Sequence, residues 1–339
     1  MTFEEAMSAQ AAFCERSGAP ITARVCHAIG HALDASSVTG ARVLGWSGEY
    51  VADAVPLRLV APFHALHRAG RCAALGALFR GEATDDVAAI RAAVTAHDDW
   101  IVRWLDGPPQ TNEPGRSTAF MVALLRLAER FALPFELLEI GSSAGLNLLI
   151  DRYAYDLGGV TREAPQSSVT LAPEWRGPPP ADAEVRIVSV RGVDIAPIDV
   201  RDPAAAERLL AYVWVDAPER IARVEAAVAM ITEQPVDLVP GDAADWVEAR
   251  LAEPQADGTC RVLMHSVVWP YLEAERRRRI EAAFEQAART ATLAKPIAWV
   301  AYEWGAEHAN HRIALRMAPG GEEELLGEGH PHGAWIEAR

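Results

Sequence analysis

Two short stretches hold the densest chemistry in this 339-residue chain. The first, Leu137-Leu-Glu-Ile-Gly-Ser-Ser-Ala-Gly-Leu-Asn147, runs from an apolar segment through a turn with Gly141 and Gly145 into a second apolar segment. A strand, a glycine turn and a helix start in this order present backbone N–H groups at the carboxyl edge of a sheet, where open α/β folds bind ligands. The glycines let the chain turn sharply and let a ligand approach the backbone. The second stretch, Gln110-Thr-Asn-Glu-Pro-Gly-Arg116, sets two amides, a hydroxyl, a carboxylate and a guanidinium just ahead of an apolar helix. Two readings of it stand. Asn112, Glu113 and Arg116 bind substrate over the ligand edge of the sheet, or Asn112 and Glu113 cap the helix and Arg116 pairs with an acid.

Other polar residues carry less. His265 and Ser266 end a strand-like run, and His330-Pro-His332-Gly333 marks a late turn. A histidine at either place suits a general base toward a hydroxyl or amine. His27 and His31 share a helix face, but no glutamate lies between them as in H-E-x-x-H and no third ligand follows. The pairs His64/His67 and His308/His311 are read the same way, as packed or capping groups, and no metal site is expected. Arg276 to Arg279 follow Glu273 and Glu275, so ion pairs four residues apart on a solvated helix face account for them. The four cysteines form no C-x-x-C pair.

The elements that must position these groups fall into two parts. Residues 1–131 read as helices: Val87, Ile90, Val94, Ile101 and Trp104 recur at helical spacing, as do Phe120, Leu124, Leu127 and Phe131. From 132 to 339 short apolar runs alternate with helical stretches: 135–140, 185–190, 236–239, 262–268 and 297–302. Asp216 and Glu219 make a capping-box pattern before one helix, and another runs over about 272–291. Strands alternating with helices predict an α/β fold, a Rossmann-like and mostly parallel sheet flanked by helices, with the all-helical N-terminal part packed on it. The proline-rich 151–184 stretch is an excursion from that plan.

Composition narrows the function. Thirty-two basic against 47 acidic residues give −15, which disfavours a nucleic-acid partner. No apolar run reaches the ~18 residues of a membrane span, and the start lacks a signal-peptide layout, so a cytoplasmic protein is expected.

The glycine turn resembles the first cofactor loop of S-adenosylmethionine (SAM)-dependent methyltransferases. That resemblance implies a cofactor site of Glu139, Gly141, Ser142, Ser143, Gly145 and Asn147. It adds Asp194 at the end of the second strand for the ribose hydroxyls, and Asp242 with the Ala243 N–H for the adenine. Asp242 reads equally well as a plain helix N-cap. The acceptor, a small molecule, would then meet Asn112, Glu113, Arg116 and His265. The same five residues, Gly141 to Gly145, also match G-x-S-x-G, the nucleophile elbow of serine hydrolases, with Ser143 as nucleophile, Asp242 as acid and His330 or His332 as base. The helical residues ahead of it leave no room for the upstream strands that fold needs. G-x-G-x-x-G is absent, which disfavours NAD.

As a set, 110–116, 139–148, Asp151-Arg-Tyr-Ala-Tyr155, Arg191-Gly-Val-Asp-Ile-Ala-Pro197, Trp269-Pro-Tyr-Leu272 and 330–333 resemble an uncharacterised bacterial domain-of-unknown-function family. The C-terminal half of that family resembles class I methyltransferases. The expected function is SAM-dependent methyl transfer. A non-catalytic Rossmann-like binding or regulatory protein and a serine hydrolase are the alternatives.

Overall fold

The computed structural model describes residues 1–305 and 310–339, so His308 lies outside the described residues. Two compact units divide the chain, Met1–Thr111 with Arg201–Glu225, and Asn112–Val200 with Ala226–Arg339.

The first unit opens with helices α1 (Phe3–Arg16), α2 (Pro20–Ala32), α3 (Val38–Leu44), α4 (Val55–Arg68), α5 (Ala73–Phe79) and α6 (Asp86–Ile101). Their apolar faces bury Met7, Ile29, Leu59, Phe63, Leu75 and Ile90 in one core. His64 belongs to it: the ring is buried, its Nδ1 lies 3.1 Å from the Ala211 carbonyl, and burial pushes its pKa down to about 4. His31 instead sits at the surface, 3.3 Å from Glu4. Helix α1 carries its own capping box, Thr2 with Glu5. The residue before α2 is Ala19, which has no side chain to cap with. Asp216, expected to cap its own helix, does this for α2: its carboxylate accepts the N–H groups of Ile21 (2.8 Å) and Thr22 (2.9 Å) and the Thr22 hydroxyl (2.6 Å).

The second unit starts with α7 (Ser117–Phe131) and strand β1 (Phe135–Ile140). The excursion that follows forms β2 (Ala154–Leu157), β3 (Val160–Arg162) and β4 (Thr170–Leu171), a small separate sheet, and β5 (Glu174–Arg176). After strand β6 (Ile187–Asp194) the chain adds α8 (Pro203–Ala211) and the start of α9 (Pro218–Glu233) to the first unit, and the rest of α9 belongs to the second. Then come β7 (Asp237–Pro240), α10 (Ala243–Ala252), β8 (Cys260–Ser266), α11 (Ala274–Thr290) and β9 (Ile297–Trp304). The chain closes with β10 (His311–Ala318), β11 (Glu324–Gly329) and β12 (Trp335–Ala338).

The large sheet has the order β5-β12-β11-β10-β9-β8-β1-β6-β7. Its half from β7 to β9 is parallel throughout. From β1 the chain moves outward through β6 to β7, then returns to β8 on the other side of β1. That reversal is the switch point at which open α/β sheets bind ligands. Strands β10 to β12 run antiparallel beyond β9 and were not foreseen in the sequence. Successive residues of a strand face opposite sides. Leu138, Ile140, Leu263 and Trp299 pack with Ile280 and Phe284 of α11. Leu137, Glu139 and Tyr302 face the other side, where α7 packs on β9 and β10. No helix among the described residues is long and apolar enough to cross a membrane.

The arginine run ties α11 to α10. Arg276 pairs with Asp242, and Arg279 with Asp245 and Glu248. Within α11 the pairs are spaced three residues apart, Glu273–Arg276 and Glu275–Arg278, where a spacing of four was expected.

Removing the Asp216 carboxylate strands the first N–H groups of α2. Asp216→Ala is expected to cost about 0.5–2 kcal/mol, the range for losing a helix cap. Urea unfolding followed by circular dichroism checks this; an unchanged midpoint would show that α2 needs no cap from Asp216.

Candidate active site

The loop after β1 takes left-handed backbone conformation at every second residue: Gly141 (φ 68°), Ser143 (φ 53°) and Gly145 (φ 79°). Glycine is required on two counts at the outer positions, since a Cβ on Gly141 would come within 2.5 Å of the Val268 side chain and one on Gly145 within 3.0 Å of Val236. Ser143 bears the strain of an L-residue there, about 1–2 kcal/mol. Hydrogen bonds from several directions hold the loop in this shape. The Ser142 N–H donates to the Val193 carbonyl (3.1 Å), the Ser143 N–H to Asp194 Oδ2 (2.8 Å) and the Leu146 N–H to Asn112 Oδ1 (2.7 Å). The Ile198 N–H donates to the Ser143 carbonyl (3.0 Å). Beyond Gly145 the helical start expected from the sequence is a short 3-10 turn, Leu146–Leu149.

Around this loop, stretches far apart in sequence form a buried polar cluster. Asn112, Glu113, Arg116, Ser117, Glu139 and Asn147 are each no more than 5% exposed. The Ser117 hydroxyl donates to Asn147 Oδ1 (2.9 Å), and Glu113 Oε1 accepts the Gly115 N–H (3.1 Å). Arg116 Nε donates to the Pro331 carbonyl (3.0 Å), and the Tyr302 hydroxyl to that of His330 (2.7 Å). The 330–333 turn presses on the 110–116 loop so closely that a Cβ on Gly333 would come within 2.2 Å of the Gly115 oxygen. Of the capping reading, Glu113 accepts an N–H of the short turn ahead of α7, whereas Asn112 accepts the Leu146 N–H of the loop after β1; Arg116 lies within electrostatic reach of Glu139.

Glu139 sits beneath the loop. Burial pushes its pKa up to about 7, opposed by hydrogen bonding with Ser142 and Asn147 and by the Arg116 charge; Asp194 pushes it further up. Among the described residues its Oε2 has no hydrogen-bond partner, and neither has the Ser143 Oγ. His311, fully buried between the rings of Tyr302 and Trp304, has no partner among them at either ring nitrogen. Burial holds its pKa down to about 4, helped by Arg116 and His330 and opposed by Glu303.

Three expected site residues lie elsewhere or are engaged. Asp194 stands beside the loop, but its carboxylate also accepts the Ala196 N–H (2.9 Å). Asp242 is the N-cap of α10, accepting the N–H groups of Ala244 (2.9 Å) and Asp245 (3.2 Å), and it pairs with Arg276. The N–H of Ala243 is not among those it accepts. His265 is on the α11 side of the sheet, opposite the face that carries Glu139. There its Nδ1 lies 2.7 Å from Glu303 Oε1. That same oxygen accepts the N–H groups of Val268 (3.1 Å) and Trp269 (3.2 Å), bracing a turn in which Val267 has φ 55°. The sequence reading passed over Glu303, although a carboxylate at the end of an otherwise apolar strand was the available signal. It also passed over Tyr302 and Ser117, which carry no such signal.

The sequence profile of the family described as "Uncharacterized protein conserved in bacteria (DUF2332)" matches residues 4–338. No curated protein and no solved structure matches the chain.

Glu139 makes stability depend on pH in a definite direction. Its folded pKa is above the ordinary 4.5, so the native state holds the proton more tightly than the unfolded chain does. The resulting stabilisation is full below that value and is lost as pH rises through about 7. The loss is on the order of 3 kcal/mol. Glu139→Gln cannot titrate, so the wild type should fall in stability relative to this variant between pH 4 and pH 8. Denaturant titrations at both pH values test this, and a constant difference would refute it.

Proposed function

We propose that this chain, which belongs to the uncharacterised bacterial family DUF2332, is a SAM-dependent methyltransferase acting on a small acceptor. The observation that carries the reading is the loop with left-handed residues at 141, 143 and 145 at the carboxyl end of β1, beside the switch point of the parallel half-sheet. Acidic side chains stand where a cofactor with an ammonium group and a ribose needs them. Glu139 lies under the loop, and Asp194 ends the neighbouring strand β6.

The residues present suit the cofactor at most points. Glu139 Oε2 and Ser143 Oγ are buried polar atoms without partners, and a ligand can satisfy both. Ile195, directly after Asp194, is 77% exposed and gives a purine ring an apolar surface to lie on. Asp242 fits poorly, because its carboxylate is taken up by the α10 cap and by Arg276. The Ala243 N–H replaces it as the group for the adenine edge. Bound there, SAM supplies an electrophilic methyl group that moves by in-line displacement, a reaction that depends chiefly on orientation. The protein's part is to hold the loop rigid, through Asn112, Asp194 and Val193, and to keep water from the cluster under it.

One observation favours a second reading. Ser143 combines the strained φ of a nucleophile elbow with an unpartnered hydroxyl. A serine hydrolase also needs a histidine on that hydroxyl, and among the described residues none bonds to it. A binding protein without chemistry would keep the loop and bind SAM without turnover.

Calorimetric titration with SAM should give a micromolar Kd, near −8 kcal/mol. Asp194→Asn and the surface variant Ile195→Asp should each weaken binding tenfold or more, about 1.4 kcal/mol. Absence of binding at millimolar SAM would overturn the reading, and labelling of Ser143 by a fluorophosphonate would replace it with the hydrolase.

A further inference from the structure

A cleft of about 170 Å³ opens on the α11 side of the sheet, between His265, Trp269 and Trp299. It exists because Ala301 and Ala314, directly opposed on β9 and β10, put only methyl groups where larger side chains would fill the space. Its walls are aromatic. The rings of His265 and Trp269 stack at 5.1 Å and 18°, and Trp299 meets Trp269 edge-on at 5.3 Å. Aromatic faces set in this way attract cations.

The charges lining the cleft point the same way. Glu281, Glu303 and Glu323 contribute carboxylates, and Arg316 is the guanidinium among them. That guanidinium is already engaged, lying over Phe284 (5.2 Å) and Trp299 (5.5 Å) and 3.9 Å from Glu285. Burial alone would raise the Glu303 pKa, but hydrogen bonds from His265, Val268 and Trp269 outweigh it and keep the carboxylate ionised. All three of those donors use Oε1. Among the described residues Glu303 Oε2 is buried without a partner, and so is the Trp299 indole N–H. A buried anionic oxygen without a donor and a buried N–H without an acceptor are each costly, and the side chains that carry them are part of the cleft wall.

We propose that this cleft binds a small primary or secondary amine carrying a hydrogen-bond acceptor, such as an amino alcohol. The ammonium group donates to Glu303 Oε2 against the indole faces, and the acceptor takes the Trp299 N–H. The volume equals roughly six water molecules, which admits a molecule of this kind and excludes a nucleotide. Quaternary ammonium compounds lack the N–H that Glu303 requires. Nothing in this binding depends on the loop at Gly141 holding SAM.

Ethanolamine is the probe, with ethylamine (no acceptor), ethylene glycol (no charge) and tetramethylammonium (no N–H) beside it. Saturation-transfer NMR and calorimetry read the binding; a ligand this small reaches at best on the order of tens of micromolar, more commonly millimolar. Ethanolamine should bind saturably, ethylamine several-fold more weakly, and the other two not at all. Trp299→Phe keeps an aromatic ring and removes the N–H, so it should bring ethanolamine down to the level of ethylamine. Ala314→Leu fills the cleft without touching a polar group and should abolish both. Circular dichroism confirms that each variant is folded. No saturable ethanolamine binding, equal binding of ethylene glycol, or binding unaffected in folded Ala314→Leu would overturn the proposal. SAM binding is measured separately on the same samples, so the two readings succeed or fail independently.

Discussion

The organisation of the second unit depends on how the chain leaves β1. The strand lies between β6 and β8, where there is little water, yet it ends in a turn whose backbone N–H groups need partners. Asp194 and Val193 supply them from β6, and Asn112 from the loop ahead of α7. Asn112 can serve only if its own loop is fixed. That is done by Glu113 on the Gly115 N–H and by the 330–333 turn packed against Gly115. Stretches at residues 112, 139, 194 and 330 are thus bound to one another through a single turn.

Two glutamates show how the sheet sets chemistry by environment alone. Glu139 and Glu303 end parallel strands and face opposite sides. Glu139 is buried with few donors, so its carboxyl titrates near neutrality. Glu303 receives an imidazole and two backbone N–H groups on one oxygen and stays ionised despite burial. The first is suited to exchanging a proton or meeting an ammonium group as conditions change, the second to holding a permanent charge. Glu139 is the more deeply buried of the two, and the three donors gathered on Glu303 more than offset its own burial.

What could be read from the sequence was what short-range pattern encodes. The run Phe135–Ile140 with its glycine turn, the alternation of strands with helices and the helical first hundred residues all follow from local periodicity. The fold is accordingly the α/β arrangement expected, with a large, mostly parallel sheet, flanking helices and a helical N-terminal part. Long-range partnerships were not readable. Asp216 caps a helix that lies nearly two hundred residues earlier, and no local pattern marks that choice. Asp242 carried two meanings, helix cap and ligand contact; its hydrogen bonds to Ala244 and Asp245 are those of the cap, and the ion pair with Arg276 is a long-range partner that no local pattern marks. His265 ends a strand as anticipated, but which face it takes depends on register. One residue of difference moves a side chain from the Glu139 face to the α11 face. Strand β10 alternates cleanly, with His311, Ile313, Leu315 and Met317 buried, and was overlooked although that signal was present; in β11, Glu324–Gly329, glycines and charges break the alternation.

Hydrogen–deuterium exchange at saturating SAM tests directly whether the cofactor lies, as proposed, on the loop after β1. Exchange should slow at the amides of residues 141–147 and 194–196, with the first unit unchanged. SAM binding without protection of those amides, or protection confined to another part of the chain, would contradict that placement.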